Sequence, residues 1–206
     1  MPLKNVSERQ VDALIKDLRA VAYNLWWSWH PAAQDIFHEL SPFFWEDSNH
    51  NAVDVISWIS GQELRGRLQD PAYAAKVRAI CTTFRSYMAA KDTWAKKNAH
   101  SLHGRPVAYF SAEMGLHESL RIYYGGLGIL AGDHAKAASD LGLTLVGITL
   151  FYRQGYFEQQ ISGDGWQHER YPSHDPNKLP IRLVKDRQGK PLVLAVHIGN
   201  EEVKFQ

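Results

Sequence analysis

The sequence predicts an α/β chain: a helical domain over residues 1–100, followed over residues 101–206 by the beginning of a domain with strand–helix–strand order and a β-meander at its C-terminal end. Three observations predict it. Apolar residues recur at helical spacing through most of the first hundred positions. From Pro106 onward a short apolar run, a glycine-led helix and a second apolar run follow in that order. Beyond residue 180, apolar runs are separated by tight-turn sequences.

Composition bounds the function classes. Of 206 residues 45% are hydrophobic and 12% aromatic, enough to bury a sizeable core. Lys and Arg total 23 against 22 for Asp and Glu, so charge gives no reason to expect nucleic acid or an anionic membrane as partner, and any anion site must be local. Cys81 is the single cysteine, which excludes an intrachain disulfide, fits a reducing compartment and is expected as a small buried hydrophobe. The opening MPLKNVSERQ lacks the apolar core of a signal peptide, and the longest apolar run, Leu143 to Tyr152, is too short to cross a bilayer. Cytoplasm is the expected location.

The first helix starts at a capping box formed by Ser7 and Gln10. Val11, Leu14, Ile15, Leu18, Val21, Ala22 and Leu25 then recur along one face until Pro31 breaks the pattern. A second helix is expected from Pro31 or Ala32 to Leu40. A third begins at Asp70, an N-cap with Pro71 at the first helical position, and runs to about Lys97, with Tyr73, Val77, Ile80, Phe84, Tyr87 and Met88 on one face. The weaker pattern between them suggests short helices and loops. Val107 to Phe110 reads as a buried strand, Leu127 to Leu141 as a helix closed by Gly142, and Leu143 to Tyr152 as a second buried strand. Joined in parallel, these form the βαβ unit of a doubly wound, Rossmann-like sheet, with the glycine turn on the ligand-binding edge. The polar stretch after Tyr152 reads as a hairpin and surface loop. Ile181 to Val184, Leu192 to Ile198 and Val203 to Phe205 then form the meander, with turns at DRQG and Gly199-Asn200. The chain divides most naturally around residues 98 to 105.

The stretch Tyr124 to Gly142, YGGLGILAGDHAKAASDLG, carries the most chemistry. A helix that starts in glycines offers unpaired N–H groups and the positive end of its dipole to an anion, usually a phosphate. The alternative is that Gly125 to Gly128 only permit a tight turn and close packing. Gly126 to Ala131 formally fits the dinucleotide fingerprint, but SAEMGLHESLRIYY separates it from the strand and no ribose-binding acid follows the second strand. A Walker-type loop is absent. Leu127, Leu130, Ala131, Ala135, Ala138 and Leu141 are core by spacing, so function is confined to the first turn.

The segment VAYFSAEMGLHESLRIYYGGLGILAGDHAKAASDLGLTLVGITLFYRQGYFEQQISGDGWQHERYP resembles the start of the catalytic region of the α-glucan (glycogen, starch, maltodextrin) phosphorylases. LRAVAYNLWWSWHPAAQDIFHELSPFFWEDSNHNAV resembles the helical domain that precedes it in many bacterial and archaeal members. The resemblance covers nearly the whole chain. It implies a GT-B architecture of two Rossmann-like domains facing a cleft, and phosphorolysis of α-1,4-glucan by inorganic phosphate to glucose 1-phosphate. It also implies pyridoxal phosphate, whose own phosphate serves as proton donor and acceptor. By position, Gly125 and Gly126 would donate N–H groups to the two phosphates, Leu127 would lie against the glucosyl unit and Gly128 would admit the close approach. Glu113, in SAEMG, matches an acidic residue of the same cleft; a salt-bridged carboxylate at a strand end is the alternative. Arg121 departs from the pattern, since relatives often carry proline there, which puts loop rigidity in doubt.

In the family the Schiff-base lysine, the other phosphate-binding basic residues and a histidine near the sugar come from later sequence. The chain is therefore expected to be the front part of such an enzyme, inactive alone, with a homo-oligomer open to the full-length protein. Rival readings are a starch- or glycogen-synthase-type GT-B glycosyltransferase and a non-catalytic glucan-binding or assembly module.

Other groups carry weaker signals. Trp26, Trp27, Trp29, Trp45 and Trp58 suit core and interdomain packing better than a sugar platform. The ten histidines include no metal-site spacing, and His134 is expected to be packed or hydrogen-bonded. Asp164, Glu169 and Asp175 read as a solvated loop, not as a hydrolytic acid–base pair.

Overall fold

The computed structural model describes residues 6–205. Helix α1 (Glu8–Ala22) opens on the expected capping box, with Ser7 accepting from the Gln10 N–H and the Gln10 side chain reaching back. Val11, Leu14, Leu18, Val21 and Ala22 are buried along its inner face. The helix does not reach Leu25. Asn24 accepts from the Trp26 N–H and starts a 3₁₀ turn, Leu25–Trp29, so the bulky Trp26 and Trp27 enter the core from a tighter backbone.

Helices α2 (Pro31–Leu40), α3 (Pro42–Asp47), α4 (Ala52–Trp58), α5 (Gly61–Gln69) and α6 (Pro71–Met88) complete the bundle. Serine, asparagine or aspartate side chains cap α3 to α6, which lets short helices follow one another with few linking residues. The expected third helix stops at Met88. Thr93, accepting from the Lys96 N–H, caps a separate α7 (Trp94–Asn98), because a fresh cap starts a new helix where the apolar stripe has run out. One cluster, from Val11 to Cys81, forms the helical core. Burial raises the Cys81 thiol to about 11, in keeping with an inert packing role.

Strand β1 (Val107–Phe110) pairs in parallel with β2 (Leu145–Ile148), and α8 (Gly126–Leu141) connects them. Gly142 ends α8 at φ +71°, and the Gly142 and Leu143 N–H groups cap the Ser139 and Ala138 carbonyls. That cap and the short pairing register shorten the expected second strand at both ends. The antiparallel pairs β3 (Glu158–Ile161) with β4 (Gln167–Arg170) and β5 (Leu194–Ile198) with β6 (Glu201–Phe205) follow. Ile181 to Val184 is not a strand. Only a single bridge, Lys185 to Pro191, forms there, and Pro191 has no N–H with which to extend the ladder.

Burial corrects the sequence expectation most clearly in this half. Phe110, Val146 and Ile148 are exposed, because two strands and one helix cannot cover both faces of a parallel sheet. Leu127, Leu130 and Leu141 are exposed as well. The buried face of α8 is instead made of small residues, Gly128, Ala131, Gly132 and Ala138. A Cβ on Gly132 would lie 1.9 Å from the Gly115 carbonyl oxygen, so helix and loop meet backbone to backbone. A second, smaller cluster of Met114, Leu120, Ile122, Ala131 and Leu179 surrounds this contact.

Gly132→Ala is expected to lower unfolding free energy by about 3 kcal/mol, the upper end of ordinary overpacking, because the obstacle is backbone. Gly66→Ala, facing open space in α5, is expected to raise it by ~0.5–1 kcal/mol. Urea denaturation of the two variants checks both signs.

Candidate functional site

Tyr124 to Gly128 form the turn that enters α8, with Gly125 as N-cap in extended backbone and no side chain capping the helix. Ile129 returns its N–H to the Gly125 carbonyl. The N–H groups of Gly126, Leu127 and Gly128, the first turn of the helix, have no acceptor among the described residues and carry the positive end of the helix dipole.

The four predicted turn residues play different structural parts. Gly128 is required by packing: a Cβ there would lie 2.4 Å from Tyr123 Cβ and 2.8 Å from a Glu113 carboxylate oxygen. Gly125 and Gly126 have nothing within 4 Å of such a Cβ and no left-handed φ. Leu127 projects outward and is 55% exposed.

Glu113 lies against the turn. Its Oε2 accepts from the Tyr124 N–H at 2.9 Å and from the Gly125 N–H at 3.2 Å. The structure thus brings Glu113 and the glycine turn together, and the carboxylate already satisfies the Gly125 donor. Gly126 to Gly128 are left as the free donors.

Residues the sequence reading did not single out hold this arrangement. Gly115 donates its N–H to the Gly128 carbonyl at 2.7 Å, and Met114 donates to the Ile122 carbonyl at 3.1 Å. Gly128 and Gly132 stand four apart on one helix face, a spacing visible in the sequence that marks close backbone approach. Gly155, the glycine of YRQGYF, packs against Arg121: a Cβ there would lie 3.1 Å from the Arg121 carbonyl oxygen. A cavity of about 260 Å³ opens beside the turn, between Tyr124, Tyr156, Arg121 and His174.

The helical half meets this region through aromatic and histidine contacts. Trp27 takes the His117 ring edge-on at 4.6 Å, while Trp29 Nε1 and the Tyr87 hydroxyl both donate to Asp140 in α8. Trp26, Trp27 and Trp45 are core, and the half-exposed Trp58 lies under Lys178. Trp27, Trp29 and Trp58 therefore reach across to the second half, while Trp26 and Trp45 pack within the helical one. His134 packs on Tyr109 at 4.9 Å. Asp164 bonds Ser162 and the Trp166 N–H of its own turn.

Two histidines in the joint are tuned in opposite directions. Burial lowers His117 to about 4, and its Nδ1 is the acceptor for the Ser119 N–H, which protonation would remove. Burial also opposes charge on His50, but hydrogen bonds and charges from Glu118 and Glu46 outweigh it and raise this group above 6.5.

The family described as "Protein of unknown function (DUF3417)" matches residues 11–120. Glycogen phosphorylase of Mycobacterium tuberculosis is 38% identical over 191 residues, covering 90% of this chain and 22% of the relative. The chain belongs to the DUF3417 family, as an N-terminal region of the α-glucan phosphorylases. Glycogen phosphorylase of Aquifex aeolicus is 34% identical over 189 residues, covering 90% of the chain and 26% of the relative. Maltodextrin phosphorylase of Thermococcus litoralis is 38% identical over 189 residues, covering 92% and 22%. The chain thus spans only 22% to 26% of the length of those relatives. No solved structure matches it. Among the described residues no helix is long and apolar enough to cross a membrane.

The histidine shifts set a pH dependence. The unfolded chain binds a proton at His117 near pH 6.5 that the folded chain refuses until about pH 4, so stability falls as pH drops through that window. The raised His50 works on the other side: its contribution is complete below 6.5 and is lost as pH rises through its folded value. Thermal melts of His117→Gln are expected to show a shallower loss of Tm between pH 6.5 and 4 than the parent chain.

Proposed function

We propose that this chain supplies one wall of an α-1,4-glucan phosphorylase active site, in which the first turn of α8 binds phosphate. The observation that carries the proposal is the bareness of Gly125 and Gly126. Nothing in the packing or backbone conformation demands glycine at either position, while three unpaired N–H groups follow directly on a helix N-terminus. Backbone without side chains lets a phosphate approach closely, and fixed N–H dipoles stabilise charge without reorganising during reaction.

In this reading residues 1–100 form a helical domain, and residues 101–206 form the first part of a Rossmann-like domain of GT-B type. The parallel pairing of β1 and β2 around α8 supports that assignment. Inorganic phosphate and the glucan are the substrates, and glucose 1-phosphate is the product. Gly126, Leu127 and Gly128 donate to phosphate, and Leu127, half-exposed at the mouth of the turn, lies against the glucosyl unit. Glu113 holds the turn through the Tyr124 and Gly125 N–H groups, so the role proposed for it is positional.

The free donors fit the phosphate end of pyridoxal phosphate equally well. That cofactor, when bound, supplies a phosphate acting as acid and base beside the substrate phosphate.

Adding inorganic phosphate to the ¹⁵N-labelled chain is expected to shift the amide resonances of Gly126, Leu127 and Gly128, and Gly126→Val is expected to abolish the response. Shifts confined to surface lysine segments would sink the proposal. The purified chain, given maltodextrin and phosphate, is expected to release no glucose 1-phosphate; sustained release would show that it needs no second wall.

A further inference from the structure

We propose that the Asn49–His50 turn of the helical half is a positioning element for the glycine turn, and that it acts through Arg121. The inference rests on the phosphate-site proposal for what is being positioned, but its contacts stand independently of that proposal.

Asn49 and His50 have φ of 53° and 57° and are the only non-glycine residues with positive φ among those described. Asparagine and histidine tolerate this region better than most residues, yet glycine would satisfy the backbone at either position more easily. The reversal after α3 is closed by the His50 N–H donating to the Trp45 carbonyl at 2.8 Å, by the Ser48 hydroxyl, which donates to the same carbonyl and accepts from the Asn51 N–H, and by the His50 ring on Glu46. Within the reversal the His50 ring meets Glu46, and the Asn49 side chain has no partner there.

Both side chains reach the same segment, the one that runs into the glycine turn. Asn49 Oδ1 accepts from Arg121 Nη2 at 3.0 Å, and His50 Nδ1 pairs with the Glu118 carboxylate. The other guanidinium nitrogen of Arg121 lies 2.5 Å from Glu158 of β3, and Glu158 also accepts from Arg170 of β4 at 3.1 Å. Arg121 thus joins the helical half, the hairpin and the turn segment. Gly155 packs against the Arg121 main chain, where an added Cβ would lie 3.1 Å from the carbonyl oxygen.

From Arg121 the contacts continue to the site. Ile122 is bonded to Met114, the neighbour of Glu113, and Glu113 accepts from the Tyr124 and Gly125 N–H groups. The order is Asn49, Arg121, Ile122 with Met114, Glu113, then the turn. Where proline would stiffen this segment through its own ring, Arg121 stiffens it from outside, by contacts at both ends of its guanidinium. The helical region thereby acquires a role in setting the geometry of a site it does not line with its own donors.

The test is amide hydrogen exchange on the whole chain. Asn49→Gly relieves the left-handed backbone while removing the acceptor, so the fold is retained. It is expected to speed exchange at Tyr124 and Gly125 by about tenfold, the scale of one charge-assisted hydrogen bond, with Leu18 and Val77 in the helical core unchanged. Arg121→Met, which removes the Glu158 contact as well, is expected to speed exchange at the same two amides at least as much, and adding Asn49→Gly to it is expected to add nothing. Asn49→Asp keeps an acceptor at the same place and is expected to restore parental rates. Unchanged exchange at Tyr124 and Gly125 in both single variants overturns the proposal, as does acceleration spread evenly over the chain. A parental chain with protected Tyr124 and Gly125 but no phosphate response overturns the anion site and leaves this coupling standing.

Discussion

The structure around the glycine turn depends on one contact, the approach of α8 to the Gly115 loop at backbone distance. With Gly132 against the Gly115 carbonyl and the Gly115 N–H on the Gly128 carbonyl, no side chain separates helix from loop. This places Glu113, two residues upstream, where its carboxylate can take the Tyr124 and Gly125 N–H groups. A methyl group at the contact would push the helix outward and move its first turn with it. Tight packing of this kind transmits displacement and does not absorb it. The unpaired donors at the start of α8 are therefore set by what lies behind the helix.

The helical half contributes a different kind of constraint. Its own core is made of large apolar residues, among them Trp26, Trp27, Phe37 and Tyr73, whose hydroxyl donates to the Ile36 carbonyl. At the joint the apolar core gives way to polar and aromatic groups: His117 on Trp27, His50 between two carboxylates, and buried Asn51 donating to the Lys178 carbonyl. Such contacts are directional. They fix orientation where a greasy interface would only bring surfaces together.

Much of this was legible in the sequence, for physical reasons that differ from element to element. The Ser7–Gln10 box, the Asp70–Pro71 start and the Gly142 stop are local signals whose chemistry lies within a few residues, and each appears in place. Helix ends governed by a competing cap, at Asn24 and Thr93, were not legible, because apolar periodicity continues past a cap without registering it. The leucines of α8 misled for another reason. Spacing identifies an apolar face but not whether anything covers it, and the face that packs is the glycine and alanine one. Of the candidate site, the glycines could be named from their pattern and Glu113 from the family resemblance. Their division of labour could not, since it depends on Tyr123, Gly115 and Glu113 meeting from separate segments. Asn49 and His50 were invisible as functional residues because a left-handed backbone leaves little trace in the sequence beyond a preference for asparagine.

The central claim is that the first turn of α8 is an anion cradle whose donors are held ready by Glu113 and the glycine contact behind the helix. A crystal structure of the chain grown with inorganic phosphate tests it most directly. The account predicts phosphate within hydrogen-bond distance of the Gly126, Leu127 and Gly128 nitrogens, with Glu113 still bound to the Tyr124 and Gly125 N–H groups. Phosphate found only on exposed lysines, with the three N–H groups facing bulk water, would contradict it.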